Sequence, residues 1–276
     1  MMQQTINKKK MLKENNFFWR FLFATTHWPG YLYSLYLSKK YPIKNYKKYF
    51  KDKNVYCIGT GPSLDAVDFK SIKNSTVLLL NSAYKIHDSL DNSNEIIWMA
   101  QDVDVILDLK KDVPKNMKKI VIFNTFKKAI FCIGFFNEND GFCLPSFFLH
   151  KAYGFIPITR VKRTMLNDKF ILKEVNFPLS VMPFTVMLTA IRIAASFQSK
   201  RIILLGFDLS YFKNKEYNPY AKLIHSNVMN KNMLDLHFDE IELFLAKLYE
   251  EIQEANIEIY NWSPLSKDKV LPRLEI

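Results

Sequence analysis

The run Val55-Tyr-Cys-Ile-Gly-Thr-Gly-Pro-Ser-Leu64 carries an apolar stretch straight into Gly59-x-Gly61-Pro62-Ser63. Two glycines let backbone N–H groups approach a ligand closely, and Ser63 sets a hydroxyl beside them. That chemistry suits a nucleotide phosphate or sugar; the alternative is a plain strand-to-turn reversal. The loop lacks the third glycine of a dinucleotide fingerprint and the Gly-Lys-Ser/Thr of a P-loop. A second apolar run, Ile202-Ile-Leu-Leu-Gly-Phe-Asp208, delivers another glycine and a carboxylate. Beyond it Tyr211 and Tyr217 stand six residues apart in a polar stretch. Two phenols reaching one place can donate to a phosphate and stabilise its charge as it leaves. His237 opens an amphipathic run. A helix amino end favours the neutral imidazole, which can take a proton from a hydroxyl. His225 is a competing base, and Asp235-x-His237 lacks a third ligand at metal-binding spacing.

These residues need strand ends to position them. Strands are expected at 55–58, 77–80, 95–99, 119–123, 201–205 and 257–260. Helices are expected at 104–111, 185–196 and 238–254, with a short helix or turn at 66–73. In the last long helix Ile241, Phe244, Leu245, Leu248 and Ile252 share one face. Alternation of this kind predicts an α/β, Rossmann-like, mostly parallel sheet with helices on both faces. Asn81 and Gln101 stand just past two strands, at the edge where open α/β sheets place ligands. Residues 125–180, rich in Phe with Lys151, Arg160, Lys162 and Arg163, are expected to form a lid-like insertion over the pocket or a plain packing element.

The chain has 276 residues and a formal net charge of +12, which is unevenly spread. Residues 1–53 hold twelve Lys/Arg against Glu14 and Asp52, leaving a nearly neutral body. A surface that tracks nucleic acid would spread its charge over the fold. Residues 1–52 therefore read as a basic, aromatic helical segment before a nucleotide-binding domain at 53–276. Its rings and lysines suit either contact with an anionic membrane surface or a clasp packed on the body. Cys57, Cys132 and Cys143 form no paired framework, and Cys57 is expected to be a buried, inert thiol. With no secretory signal and no long apolar run, the expected place is the cytoplasm, peripheral on the inner face of the cell membrane.

Taken in order, these features resemble the bacterial sialyltransferases of glycosyltransferase family 42, over about residues 53–266. Gly59-Thr60-Gly61-Pro62-Ser63-Leu64 is similar to that family's Gly-Asn-Gly-Pro-Ser-Leu nucleotide loop, and Gly206-Phe207-Asp208 to its Gly-Ile-Asp strand end. Asn81 and Gln101 resemble its donor contacts. Tyr211 and Tyr217 keep the spacing of its tyrosine pair, and His237 stands before a helix, a strand and Asn261-Trp262-Ser263, as its catalytic His does. The resemblance implies metal-independent, inverting transfer from a CMP-activated sugar (sialic acid or a related nonulosonic acid) to a surface glycan or glycolipid such as lipooligosaccharide, with no cofactor. His237 would deprotonate the acceptor, and Tyr211 and Tyr217 would stabilise departing CMP. The implied donor contacts are Gly59, Thr60, Gly61, Ser63, Asn81, Gln101, Thr185, Gly206 and Asp208. Two departures stand out: Thr60 replaces the family's Asn, and its Arg-x-Thr-Ser-Gly segment is reduced here to Pro183-Phe184-Thr185-Val186.

The same residues also resemble a wider group, the hydroxymethylpterin pyrophosphokinase-like domains. A pyrophosphokinase would need Mg²⁺, for which Asp102, Asp104 and Asp208 are the available carboxylates. A non-catalytic binding module in a glycan pathway is the third alternative. A homo-oligomer is compatible with all three.

Overall fold

The computed structural model describes residues 36–37, 39–101, 103–109, 111–122, 141–143, 185–209 and 238–274. Seven strands form one sheet: β1 (Asn54–Ile58), β2 (Thr76–Leu80), β3 (Glu95–Ala100), β4 (Lys118–Ile122), β5 (Gly141–Cys143), β6 (Arg201–Leu205) and β7 (Glu258–Asn261). Their order is β5-β4-β3-β2-β1-β6-β7, and every pairing is parallel. This is the α/β Rossmann-like sheet expected, with no antiparallel pair among the described strands. One strand falls where the lid was expected. Gly141–Cys143 pairs with β4 through Ile120↔Gly141, so this part of 125–180 belongs to the sheet. Three residues are too few to show a period of two, which is why the sequence hides it.

Parallel strands covered on both faces bury every side chain, so β2 reads as the continuous run Thr-Val-Leu-Leu-Leu, all buried. Alternate residues feed two cores. Val55, Cys57, Leu78, Leu80, Ile97, Met99, Ile202 and Leu204 face one layer. Ile58, Val77, Leu79, Trp98, Ala100, Ile203 and Leu205 face the other. Four α-helices are described: α1 (Lys47–Phe50), α2 (Val103–Leu109), α3 (Val186–Ser196) and α4 (Phe238–Glu254). The first layer is closed by α3, α4 and α1; the second by α2 and the 3₁₀ segment Asn81–Ser89. Burial of Cys57 in the first layer pushes its thiol upward, as an inert core residue requires.

The segment before β1 is a clasp over the residues described. Leu37 and Tyr41 enter one core, while Ile43, Tyr46 and Phe50 enter the other. The Tyr46 hydroxyl donates to the Lys119 carbonyl at 2.9 Å, and the Phe50 and Phe197 rings lie 5.4 Å apart. Tyr41, Tyr46 and Phe50 are therefore not available as lipid-facing rings.

β1 to β5 extend the sheet one way, and β6 and β7 extend it the other way from β1. The order reverses between β1 and β6, which makes their carboxyl ends the topological switch point. Short turns return α3 into β6 and α4 into β7, so both helices run back along the sheet. Their amino ends consequently lie on the same edge as the switch point.

Candidate functional site

The exits of β1 and β6 are bonded to each other. The Gly59 N–H donates to Leu205 O at 2.8 Å and the Gly61 N–H to Gly206 O at 3.0 Å. Next, the Ser63 N–H donates to Asp208 Oδ2 at 2.9 Å, and the Ser63 hydroxyl donates to Asp208 Oδ1. Ser63 and Asp208 are 2% and 3% exposed, so this polar pair is sealed. Close approach is thus what the glycines provide, but the approaching group is backbone from the neighbouring strand. A Cβ on Gly59 would stand 2.7 Å from Gly206 O, and one on Gly61 would stand 2.6 Å from it. Gly206 is left-handed at φ +64°, where a side chain would also meet Leu64 at 2.9 Å.

This geometry changes how the loop can serve a ligand. The N–H groups of Gly59, Gly61 and Ser63 and the Ser63 hydroxyl are already donated to the β6 exit. The loop shapes the floor of the crevice rather than offering those donors to a phosphate. Asp208 is held the same way: burial raises its carboxyl above the ordinary range, while the Ser63 hydrogen bonds and Arg273 pull it partly back.

The β6 exit is braced from behind by residues whose role the sequence did not reveal. The Phe207 N–H donates to Ser263 Oγ at 3.0 Å, and the Lys267 N–H to Asp208 O at 2.9 Å. Asn261, fully buried, donates from Nδ2 to Phe207 O and Asp268 Oδ2. Arg273 donates to the carbonyls of Ser263, Ser266 and Asp268 at 2.8–3.0 Å. The signal was the polar Asn-Trp-Ser turn after an apolar strand, but its partner in the β6 exit, Phe207, is more than fifty residues away.

Asn81 begins at the carboxyl end of β2, beside β1. It is left-handed at φ +52°, and its carbonyl accepts from Trp98 Nε1 at 2.7 Å. Its side-chain Oδ1 is buried and has no hydrogen-bond partner among the described residues. Leu209, directly after Asp208, is also left-handed at φ +50°. The other left-handed non-glycine residues among those described are Asp52, Asn74, Gln198 and Asn256, in turns that enter the amino ends of strands. Polar turn residues tolerate that conformation; a leucine does not, and such strain gathers where a site over-determines the backbone.

Gln101 and Thr185 are tied to α3. Gln101 Oε1 accepts from the Thr189 hydroxyl at 2.5 Å. Thr185 caps the helix, its hydroxyl accepting from the Met187 N–H at 3.2 Å. Met187 Cε would lie 3.2 Å from a Cβ on Gly59, so the capped end of α3 abuts the glycine loop. Its dipole sets roughly half a positive charge there, favourable to an anion. Thr60 is half-buried within the loop.

Gly59, Gly61, Ser63, Gly206 and Asp208 are in direct contact, then, with Thr185 reaching them through α3. Gln101 is held to the same helix, and Asn81 ends the strand next to β1. Tyr211, Tyr217, His225, Asp235 and His237 lie outside the described residues. So do Asp102 and the side chain of Asp104, while Asp208, the third carboxylate considered for Mg²⁺, is engaged by Ser63. Among the described residues no group of three His, Cys, Asp or Glu side chains could hold a metal ion.

No protein-family model and no curated protein matches the chain. Solved structures do. The sialyltransferase CstII from Campylobacter jejuni, in complex with cytidine-5'-monophosphate, is 19% identical. The match covers 81% of this chain and 85% of that chain, with a TM-score of 0.43. The monofunctional alpha-2,3-sialyltransferase Cst-I from Campylobacter jejuni is 17% identical over 81% of this chain and 80% of that chain, with a TM-score of 0.42.

Proposed function

We propose that this protein is a sialyltransferase-like glycosyltransferase, taking a sugar from a CMP-activated donor seated at the crest between β1 and β6. One observation carries the reading. The switch point is built as a floor, Gly59–Ser63 clasped to Gly206–Asp208 and followed by the left-handed Leu209, and beside it Asn81 holds a buried oxygen with no partner among the described residues. An unsatisfied buried acceptor costs about 1–3 kcal/mol, which a ligand hydroxyl or amino group donating to it would recover. The capped amino end of α3 favours the donor phosphate. Thr60, Gln101 and Thr185 complete the donor contacts in this reading.

His237 is the residue before α4, whose amino end lies on the crest edge. It takes the proton of the acceptor hydroxyl as that oxygen attacks the anomeric carbon from the face opposite CMP. The bond to the phosphate oxygen breaks, configuration inverts, and Tyr211 and Tyr217 donate hydrogen bonds to the leaving CMP. The acceptor is a surface glycan or glycolipid, and no step calls for a metal or a cofactor.

The test is calorimetric titration with CMP, UDP, GDP and ATP, with and without EDTA, followed by transfer assays with CMP-sugars. CMP-selective binding that survives EDTA, with transfer lowered about 10²–10⁴-fold in His237→Ala, is expected. Selective, Mg²⁺-dependent ATP binding would overturn the proposal in favour of a pyrophosphokinase. Full transfer by His237→Ala would remove the base.

A further inference from the structure

The clasp before β1 has two opposed stripes. Leu37, Tyr41, Tyr46 and Phe50 point inward and are buried, whereas Lys40, Lys44, Lys48 and Lys51 are exposed. The outward four are carried in turn by the helical residues before Tyr41, the 3₁₀ turn Ile43–Tyr46, the helix Lys47–Phe50 and the residue that ends it, Lys51. Lys39 and Lys53 are exposed as well, and Asp52 is the only acid from 36 to 53. Lys40 and Lys48 lie across the rings of Tyr41 and Tyr49 at 5.3 and 4.9 Å, which holds their ammonium groups over the clasp. Among the described residues no carboxylate pairs with Lys44, Lys48, Lys51 or Lys53.

The stripe continues along the amino ends of the strands. Lys53 precedes β1, and its carbonyl accepts from the N–H of exposed Lys200, just before β6. Exposed Lys73 precedes β2. This end of the sheet is opposite the crest, so a surface bound here leaves the candidate site open.

We propose that this lysine face docks on an anionic phospholipid bilayer, with charge as the main attraction. The contact is electrostatic because Tyr41, Tyr46 and Phe50 are spent on the core. Juxtaposed lysines each add attraction to an anionic leaflet without any ring entering it. Single-stranded nucleic acid would want several exposed rings on which to stack bases; those three point inward, and Tyr36 is the one exposed ring among the described residues of the segment. No helix among the described residues is long and apolar enough to cross a membrane. The inference stands apart from the donor reading, since it concerns the other end of the sheet.

The experiment is flotation of the full chain with phosphatidylcholine vesicles, with and without phosphatidylglycerol, across a salt series. A variant carrying Lys44→Glu, Lys48→Glu, Lys51→Glu and Lys53→Glu is compared after circular dichroism confirms that it melts like the parent. The parent is expected to float only with the anionic vesicles and to be released as salt shortens the Debye length to about 3 Å. The variant should partition about tenfold or more weaker. Equal partition of parent and variant overturns the proposal, as does binding to neutral vesicles. So does an oligonucleotide mobility shift by a parent that ignores the vesicles.

Discussion

Gly61→Ala tests the central claim that the β1 and β6 exits are one rigid unit. Gly61 has φ −70° and ψ 155°, a conformation any residue adopts, so backbone strain plays no part. The cost is contact alone. The new methyl would stand 2.6 Å from Gly206 O and would also strike the Asp208 carboxylate. Ordinary contact begins at 3.4 Å, so the two exits must part by about 0.8 Å. That displacement stretches the 3.0 Å bond from Gly61 N–H to Gly206 O beyond useful length and loosens both Ser63 bonds to Asp208. Overpacking costs about 1–3 kcal/mol, and loss of hydrogen bonds to a buried acid adds about 1.5–3. A total of about 2.5–6 kcal/mol is a large part of ordinary domain stability. Urea denaturation of Gly61→Ala, Ser63→Ala and the double variant measures it. Because both substitutions break the same clasp, the double variant should cost less than the sum by about 1–3 kcal/mol. A Gly61→Ala protein within about 0.5 kcal/mol of the parent, or strict additivity, would refute the clasp.

Two further outcomes follow from the same site. The carboxyl of Asp208 is raised above its ordinary value of 3.8 by burial. The folded state therefore binds that proton more tightly than the unfolded chain, and the group's contribution is complete at low pH and lost as pH rises through the raised value. The stability of the parent relative to Asp208→Asn should fall across that window in pH-dependent denaturation; a difference that grows with pH would contradict the burial argument. Asn81→Gly removes the buried oxygen and keeps a residue that adopts the left-handed backbone freely. It should leave stability unchanged or raise it by up to about 1 kcal/mol, while calorimetry shows weaker CMP binding. Unaltered CMP affinity would detach Asn81 from the site.

The strands were legible because two-sided burial writes them as apolar runs: residues 55–58, 77–80, 95–99 and 201–205 fall within the observed strands. The 4-residue heart of β4 was found too, shifted by one position at Lys118. The long amphipathic run after His237 is α4 as expected. β5 was missed because three residues carry no period, and the 3₁₀ segment Asn81–Ser89 because its left-handed start leaves no pattern. The aromatic segment before β1 left a clasp and membrane contact open; burial of Leu37, Tyr41, Ile43, Tyr46 and Phe50 shows the clasp and leaves any membrane contact to the exposed lysines.

The glycine loop divides most clearly between the two levels. By itself, the sequence determined that Gly59, Gly61 and Gly206 stand at strand ends where something must come close. Only the tertiary structure decided what that is. β1 and β6 are neighbours although nearly 150 residues separate them, and parallel pairing brings both exits to one level. A serine hydroxyl that reads as a ligand donor then finds a buried carboxylate first. Residue type fixes which bonds a group can make; the fold decides which partner it meets.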